Sequence, residues 1–155
     1  MTFSRPNLIL LAGLGSGALM LGALGFQHIA EMPPCKLCIW QRYPHVVAIL
    51  LSMTGLMVPG RPVPLLGALA ALTTAAIGVY HTGVERKLWA GPSSCTSSDI
   101  SGLSAQDLLN QIMAAPIVRC DEAPWELFTL SMASWNAIAS IALTLIWLAA
   151  AKNRV

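Results

Sequence analysis

Apolar residues along this chain gather into four long runs, separated by short polar breaks and one long polar excursion. The first run, about Leu8 to Ile29, is close to the ~20 residues a helix needs to cross a bilayer. Arg5 and Pro6 precede it, as in a secretory signal. However, the run exceeds the about 7–15 apolar residues of a signal core, and no A-x-A cleavage site follows, so the pattern predicts a retained helix. The second run, about Pro44 to Val58, reaches spanning length only if its helix begins near Trp40. Pro44 permits that, because the first N–H groups of a helix are unpaired anyway. Pro59-Gly60-Arg61-Pro62 is a tight turn, and the third run goes from about Val63 to Thr82. The last, about Leu127 to Ala151, carries Asn136, Ser140 and Thr144 at four-residue spacing, a polar stripe expected to face other helices. Small residues four apart (Gly13 and Gly17; Ala18 and Gly22; Gly67, Ala71 and Ala75) predict faces where helices approach closely.

The polar excursion is residues 84–124. Within it, Ser104 and Asp107 read as a helix start. Leu108, Leu109, Ile112 and Met113 then form one apolar stripe, too short to span, which would lie flat on the bilayer or bundle. The fold class expected is therefore an all-α membrane protein. One domain, residues 1–155, forms a four-helix transmembrane bundle with spans at about 8–29, 40–58, 63–82 and 127–151 and a short interfacial helix in the second outer loop.

Composition supports the membrane reading. Of 155 residues, 55% are hydrophobic and only 10% charged, with a mean hydropathy of +0.66, whereas soluble domains carry roughly 25% charged residues. The net charge of +2, with no basic patch interleaved with aromatics, argues against a nucleic-acid partner. Arg5, Arg61, Lys152 and Arg154 sit in very short segments on the side of the termini. Lys36, Arg42, Arg86, Lys87 and Arg119 are spread over longer segments on the other side. That density places both termini inside and all four cysteines outside, where disulfides persist.

The cysteines then supply candidate chemistry. Cys35 and Cys38 form a C-x-x-C pair, whose two intervening residues allow a small, reducible ring. A thiol becomes a nucleophile as thiolate, favoured by a nearby cation or a helix N-terminus, and Cys38 has both in Arg42 and the second helix. Zinc would want two closely spaced ligand pairs; here the other cysteines, Cys95 and Cys120, are split by a long loop, so no metal is expected. A plain structural disulfide is the alternative for either pair. The glycine, proline and serine around Cys95 favour a sulfur free to swing over a staple. Gln27, His28, Arg42, His45 and His81 fall at the outer ends of helices. Each alone reads as a solvated cap, but together they could line a pocket for a flat polar headgroup, with arginine donating to a carbonyl oxygen.

In this order the residues resemble a known family. Phe26-Gln27-His28, Pro34-Cys35-x-Leu37-Cys38-x-x-x-Arg42, Tyr80-His81-Thr82, Cys95, Cys120 and Trp125 together resemble the DsbB-type disulfide-forming proteins of the bacterial inner membrane, over essentially the whole chain. The resemblance implies a quinone, ubiquinone or menaquinone, as cofactor, drawn from the lipid pool, with Cys38 the sulfur nearest its ring and Arg42, His81 and Gln27 beside it. It implies that Cys95 forms a mixed disulfide with a soluble periplasmic thioredoxin-fold oxidase of DsbA type, with Cys120 as its resolving partner. Electrons would pass from that oxidase to Cys95–Cys120, then to Cys35–Cys38, then to quinone. A reductase similar to vitamin K epoxide reductase uses the same parts, but there the loop cysteines precede the C-x-x-C pair. A tetraspan protein with purely structural disulfides is the remaining reading; its staples would resist mild reduction.

Overall fold

A computed structural model describes residues 4–93, 95, 104, 106, 109–110, 113 and 118–153. Four long helices dominate it: α1 (Arg5–His28), α2 (Lys36–Met57), α3 (Pro62–Glu85) and α4 (Met132–Lys152). Prolines sit in the first turns of α1 and α3, where a missing N–H costs nothing. By length and composition α1, α3 and α4 are apolar enough to cross a membrane. The amino-terminal half of α2 is diluted by Gln41, Arg42 and His45.

Two boundaries differ from the sequence-based expectation, each for a local reason. Helix α2 starts at Lys36 rather than near Trp40, because Cys35 caps it: the Cys38 N–H donates to Cys35 Sγ at 3.2 Å. Pro44 is therefore interior, where it removes the N–H that would have met the Trp40 carbonyl. Helix α4 starts at Met132 rather than Leu127, because a small hairpin intervenes. Its strands, β1 (Glu126–Leu127) and β2 (Leu130–Ser131), pair antiparallel around Phe128 and Thr129. Both turn residues have positive φ, 52° and 64°, the backbone of a type I′ turn. Arg86 Nη2 holds the turn through the Thr129 carbonyl at 2.9 Å, and Trp135 Nε1 donates to the Leu127 carbonyl at 3.2 Å. Of the expected interfacial helix, Gln106, Leu109, Asn110 and Met113 are helical, while Asp107, Leu108 and Ile112 lie outside the described residues.

The helices form a ring in which α1 and α3 each pack against both α2 and α4. At the end nearer the termini the core is Ile9, Ala12, Ala68, Ala71, Trp147 and Ala150. Gly67 makes room for Trp147, since a Cβ there would lie 2.5 Å from the indole. Of the glycines predicted to pack in α1, Gly13 sits against Ser52, while Gly17 and Gly22 have nothing within 4 Å among the described residues. Arg5 ties this end together by donating to the Val58 and Gly60 carbonyls at 3.1 and 2.8 Å. Outward-facing leucines such as Leu14, Leu21, Leu69 and Leu145 stay exposed, as lipid contact would require. A second cluster, at the opposite end, is built from Cys35, Leu37, Val84, Cys95 and Cys120.

Candidate functional site

The cap that starts α2 also assembles the first cysteine pair. One helical turn brings the Cys35 and Cys38 sulfurs within 2.8 Å, as two thiols. Cys35 is buried and Cys38 half-buried. Hydrogen bonding to Cys38, then burial, pushes the Cys35 thiol far above its ordinary range. Cys95 and Cys120 are joined in a disulfide with Cα atoms 5.3 Å apart, and the Cys120 N–H donates to the Cys95 carbonyl at 2.6 Å. The loop composition predicts a swinging Cys95; instead it is only 1% exposed, packed with Leu37, Val84 and the first pair. Sulfur behaves here as a small apolar group.

Beside the pairs lies a cavity of about 360 Å³, lined by residues of all four helices and by the segment returning to α4. Cys38, Arg42 and His45 reach it from one stripe of α2 (i, i+4, i+7). Arg42 crosses to α1, donating to Gln27 Oε1 at 2.6 Å and the Ala23 carbonyl at 3.3 Å. Phe26 and Trp125, distant in sequence, pack with ring centroids 5.1 Å apart and form an apolar wall. Arg119 and Glu122, which also line the cavity, are paired at 3.1 Å. Arg119 also holds Asp121 at 2.7 Å, which keeps that carboxyl below its usual range.

His81, from α3, completes the site. Its Nε2 lies 3.5 Å from Cys35 Sγ and 3.7 Å from Glu85 Oε1, and Glu85 in turn accepts from Ser131 Oγ. Its Nδ1 meets Gln41 Nε2 at 2.9 Å. Thus Cys35, Cys38, Arg42 and His81 share one cavity wall with Gln27 behind Arg42, and Cys95 and Cys120 pack onto the first pair. His28 stays exposed, whereas His45, though buried, lines the cavity. Sequence reasoning missed Gln41 and Glu85, which carry no motif. It placed Asn136 on an inward stripe without finding its partner, His45, at 2.9 Å. Cys35, Cys38 and His81 are also the one three-residue set among the described residues with ligand atoms close enough, within 4.8 Å, to hold a metal ion.

A buried dithiol packed onto a disulfide, at one end of a ring of apolar helices, is the equipment of a membrane thiol–disulfide exchanger. The comparisons agree. The family described as Disulfide bond formation protein DsbB matches residues 5–150, and the chain belongs to it. Proteins named Disulfide bond formation protein B are similar to it: that of Shewanella amazonensis is 30% identical, covering 88% of this chain and 83% of the relative. That of Yersinia pestis is also 30% identical, covering 81% and 74%. An uncharacterised protein of Rickettsia prowazekii is 29% identical over 76% of this chain and 70% of its own.

Proposed function

We propose that this protein is a multi-pass enzyme of the bacterial inner membrane that reoxidises a soluble periplasmic dithiol oxidase of DsbA type and passes the electrons to membrane quinone. All four helices would span, with both termini cytoplasmic and the cysteines periplasmic. The observation that carries the reading is the single cluster uniting Cys35 with Cys95 and Cys120, with Cys38 packed against it and lining an apolar cavity with Arg42. That cavity, walled by Phe26 and Trp125 and offering the Arg42 guanidinium beside Cys38, suits a flat apolar ring bearing carbonyl oxygens. A quinone bound there supplies an acceptor for two electrons and two protons.

The residues divide the work. A partner thiolate attacks Cys95 Sγ and Cys120 leaves as thiolate; the partner's second thiol then displaces Cys95 and leaves the partner oxidised. The reduced Cys95–Cys120 pair exchanges with a Cys35–Cys38 disulfide, moving two electrons to the first pair. Arg42 orients the acceptor beside Cys38.

The test is a purified assay with a reduced DsbA-type protein, supplying short-chain ubiquinone and menaquinone separately and following quinone absorbance. Turnover should require all four cysteines, and Cys120→Ser mixed with the oxidised partner should trap a Cys95–partner disulfide on a non-reducing gel, because the Cys95 thiolate attacks the partner's disulfide and no Cys120 thiol remains to resolve it. Turnover that survives loss of Cys38, or an adduct mapping to Cys35, overturns the scheme.

A further inference from the structure

A chain of buried polar side chains runs from His81 into the bundle, and its hydrogens have only one consistent direction. Gln41 Nε2 approaches both the Leu37 carbonyl (3.3 Å) and His81 Nδ1 (2.9 Å). A carbonyl can only accept, so the Gln41 nitrogen faces both. Gln41 Oε1 then accepts from Asn136 Nδ2 at 2.7 Å. The other end is fixed as well. The Thr74 hydroxyl gives its hydrogen to the Gln41 main-chain carbonyl (2.9 Å), so toward Asn136 it can only accept, from Nδ2 at 3.1 Å. Asn136 Oδ1 is left to accept from His45 Nε2 at 2.9 Å. A main-chain carbonyl and a committed hydroxyl thus set both amides, and reversing either would bring two acceptors together.

We infer that Gln41, held by Asn136, is a positioning residue that fixes His81 as the Nε2–H tautomer, with that N–H facing Cys35 Sγ at 3.5 Å and the Glu85 carboxylate at 3.7 Å. With Nδ1 occupied as an acceptor, neutral His81 has no lone pair at Nε2. It is therefore a hydrogen-bond donor to the sulfur rather than its general base, and the same hydrogen keeps it from completing a Cys₂His metal site. The donor has a use that rests on the exchange scheme proposed above. When Cys35 leaves its mixed disulfide with a loop cysteine, as the second loop thiolate attacks and Cys95–Cys120 closes, a buried N–H 3.5 Å away stabilises the charge developing on its sulfur.

The test begins with the tautomer itself, which does not depend on turnover. The chain has only three histidines, so ¹⁵N-histidine NMR of the reduced full-length protein should resolve His81 with Nε2 protonated and Nδ1 bare. Gln41→Glu offers Nδ1 an acceptor instead and should convert His81 to the Nδ1–H form. That change should also tighten Cd²⁺ binding to the reduced protein by about ten- to a hundredfold, by analogy with second-shell effects on metal sites. Gln41→Leu should leave a tautomer mixture and slow disulfide transfer from Cys35–Cys38 to the loop pair by about tenfold, the loss of one charge-assisted hydrogen bond. If the Gln41 variants do not fold, Asn136→Asp, which cannot donate to Gln41, should loosen the tautomer in the same direction. A wild-type His81 protonated at Nδ1, or a tautomer indifferent to these changes, overturns the inference. A correct tautomer with no quinone turnover would refute the proposed function and leave the clamp standing.

Discussion

Arg42 shows how one side chain can link two helices and still serve a ligand. Its planar fork splits between Gln27 Oε1 and the Ala23 carbonyl on α1, while the residue lines the cavity beside Cys38. Lysine would keep the charge but cannot hold two acceptors at fixed angles. Hydrogen bonds to charged groups contribute about 1.5–3 kcal/mol, so Arg42→Ala should raise the KM for quinone by about tenfold or more. Arg42→Lys should fall between the two, and Gln27→Ala should reproduce part of the effect by freeing the guanidinium. Steady-state titration of quinone against a reduced partner measures all three. If Arg42→Ala leaves the KM unchanged, Arg42 is a structural tie between α1 and α2, and the quinone mouth belongs to His81.

At the scale of elements, small residues decide where helices touch, and spacing alone does not say which ones. Gly67 lies against the Trp147 ring, where a methyl group would come within 2.5 Å. Gly17 faces open space among the described residues despite belonging to the G-x-x-x-G of α1. Gly67→Ala should therefore destabilise the protein in detergent by about 1–3 kcal/mol through overpacking. Gly17→Ala should be neutral or stabilising, by up to about 1 kcal/mol from helix propensity. Thermal unfolding of the pair measures the difference, and equal effects would mean that the ring of helices is packed differently. That each of the four apolar runs forms a long helix was legible in sequence, and three of those helices are long and apolar enough to cross a membrane. The starts of α2 and α4 were not, since each hangs on a local bond: Cys35 acting as a cap, and a hairpin turning through Phe128 and Thr129. The polar interior was half legible. Asn136 was marked by its stripe, but its bonds to Gln41 and His45 span 95 and 91 residues, and no local pattern encodes a partner that far away.

The whole molecule is polarised along its helices. One end is a dry alanine, isoleucine and tryptophan core closed by Arg5 over the α2–α3 turn; the other holds both cysteine pairs, His81, Glu85 and the cavity. Helix connectivity puts Ser4 at the first end and every cysteine at the second. The lysines and arginines near the first end are concentrated in short segments, so that end should face the cytoplasm. The consequence is testable in intact spheroplasts. After reduction, a membrane-impermeant maleimide should modify the native cysteines from outside. Cys38, half-buried at the cavity, should react before Cys95 and Cys120, which need local opening. A cysteine introduced at exposed Ser4, in a variant with the four native cysteines replaced, should react only after the membrane is broken. The reverse pattern would place the exchange chemistry in the cytoplasm, where disulfides do not persist. Labelling of both ends from one side would mean that one of the helices does not span. The first suspect would then be α2, whose amino-terminal half carries Gln41, Arg42 and His45.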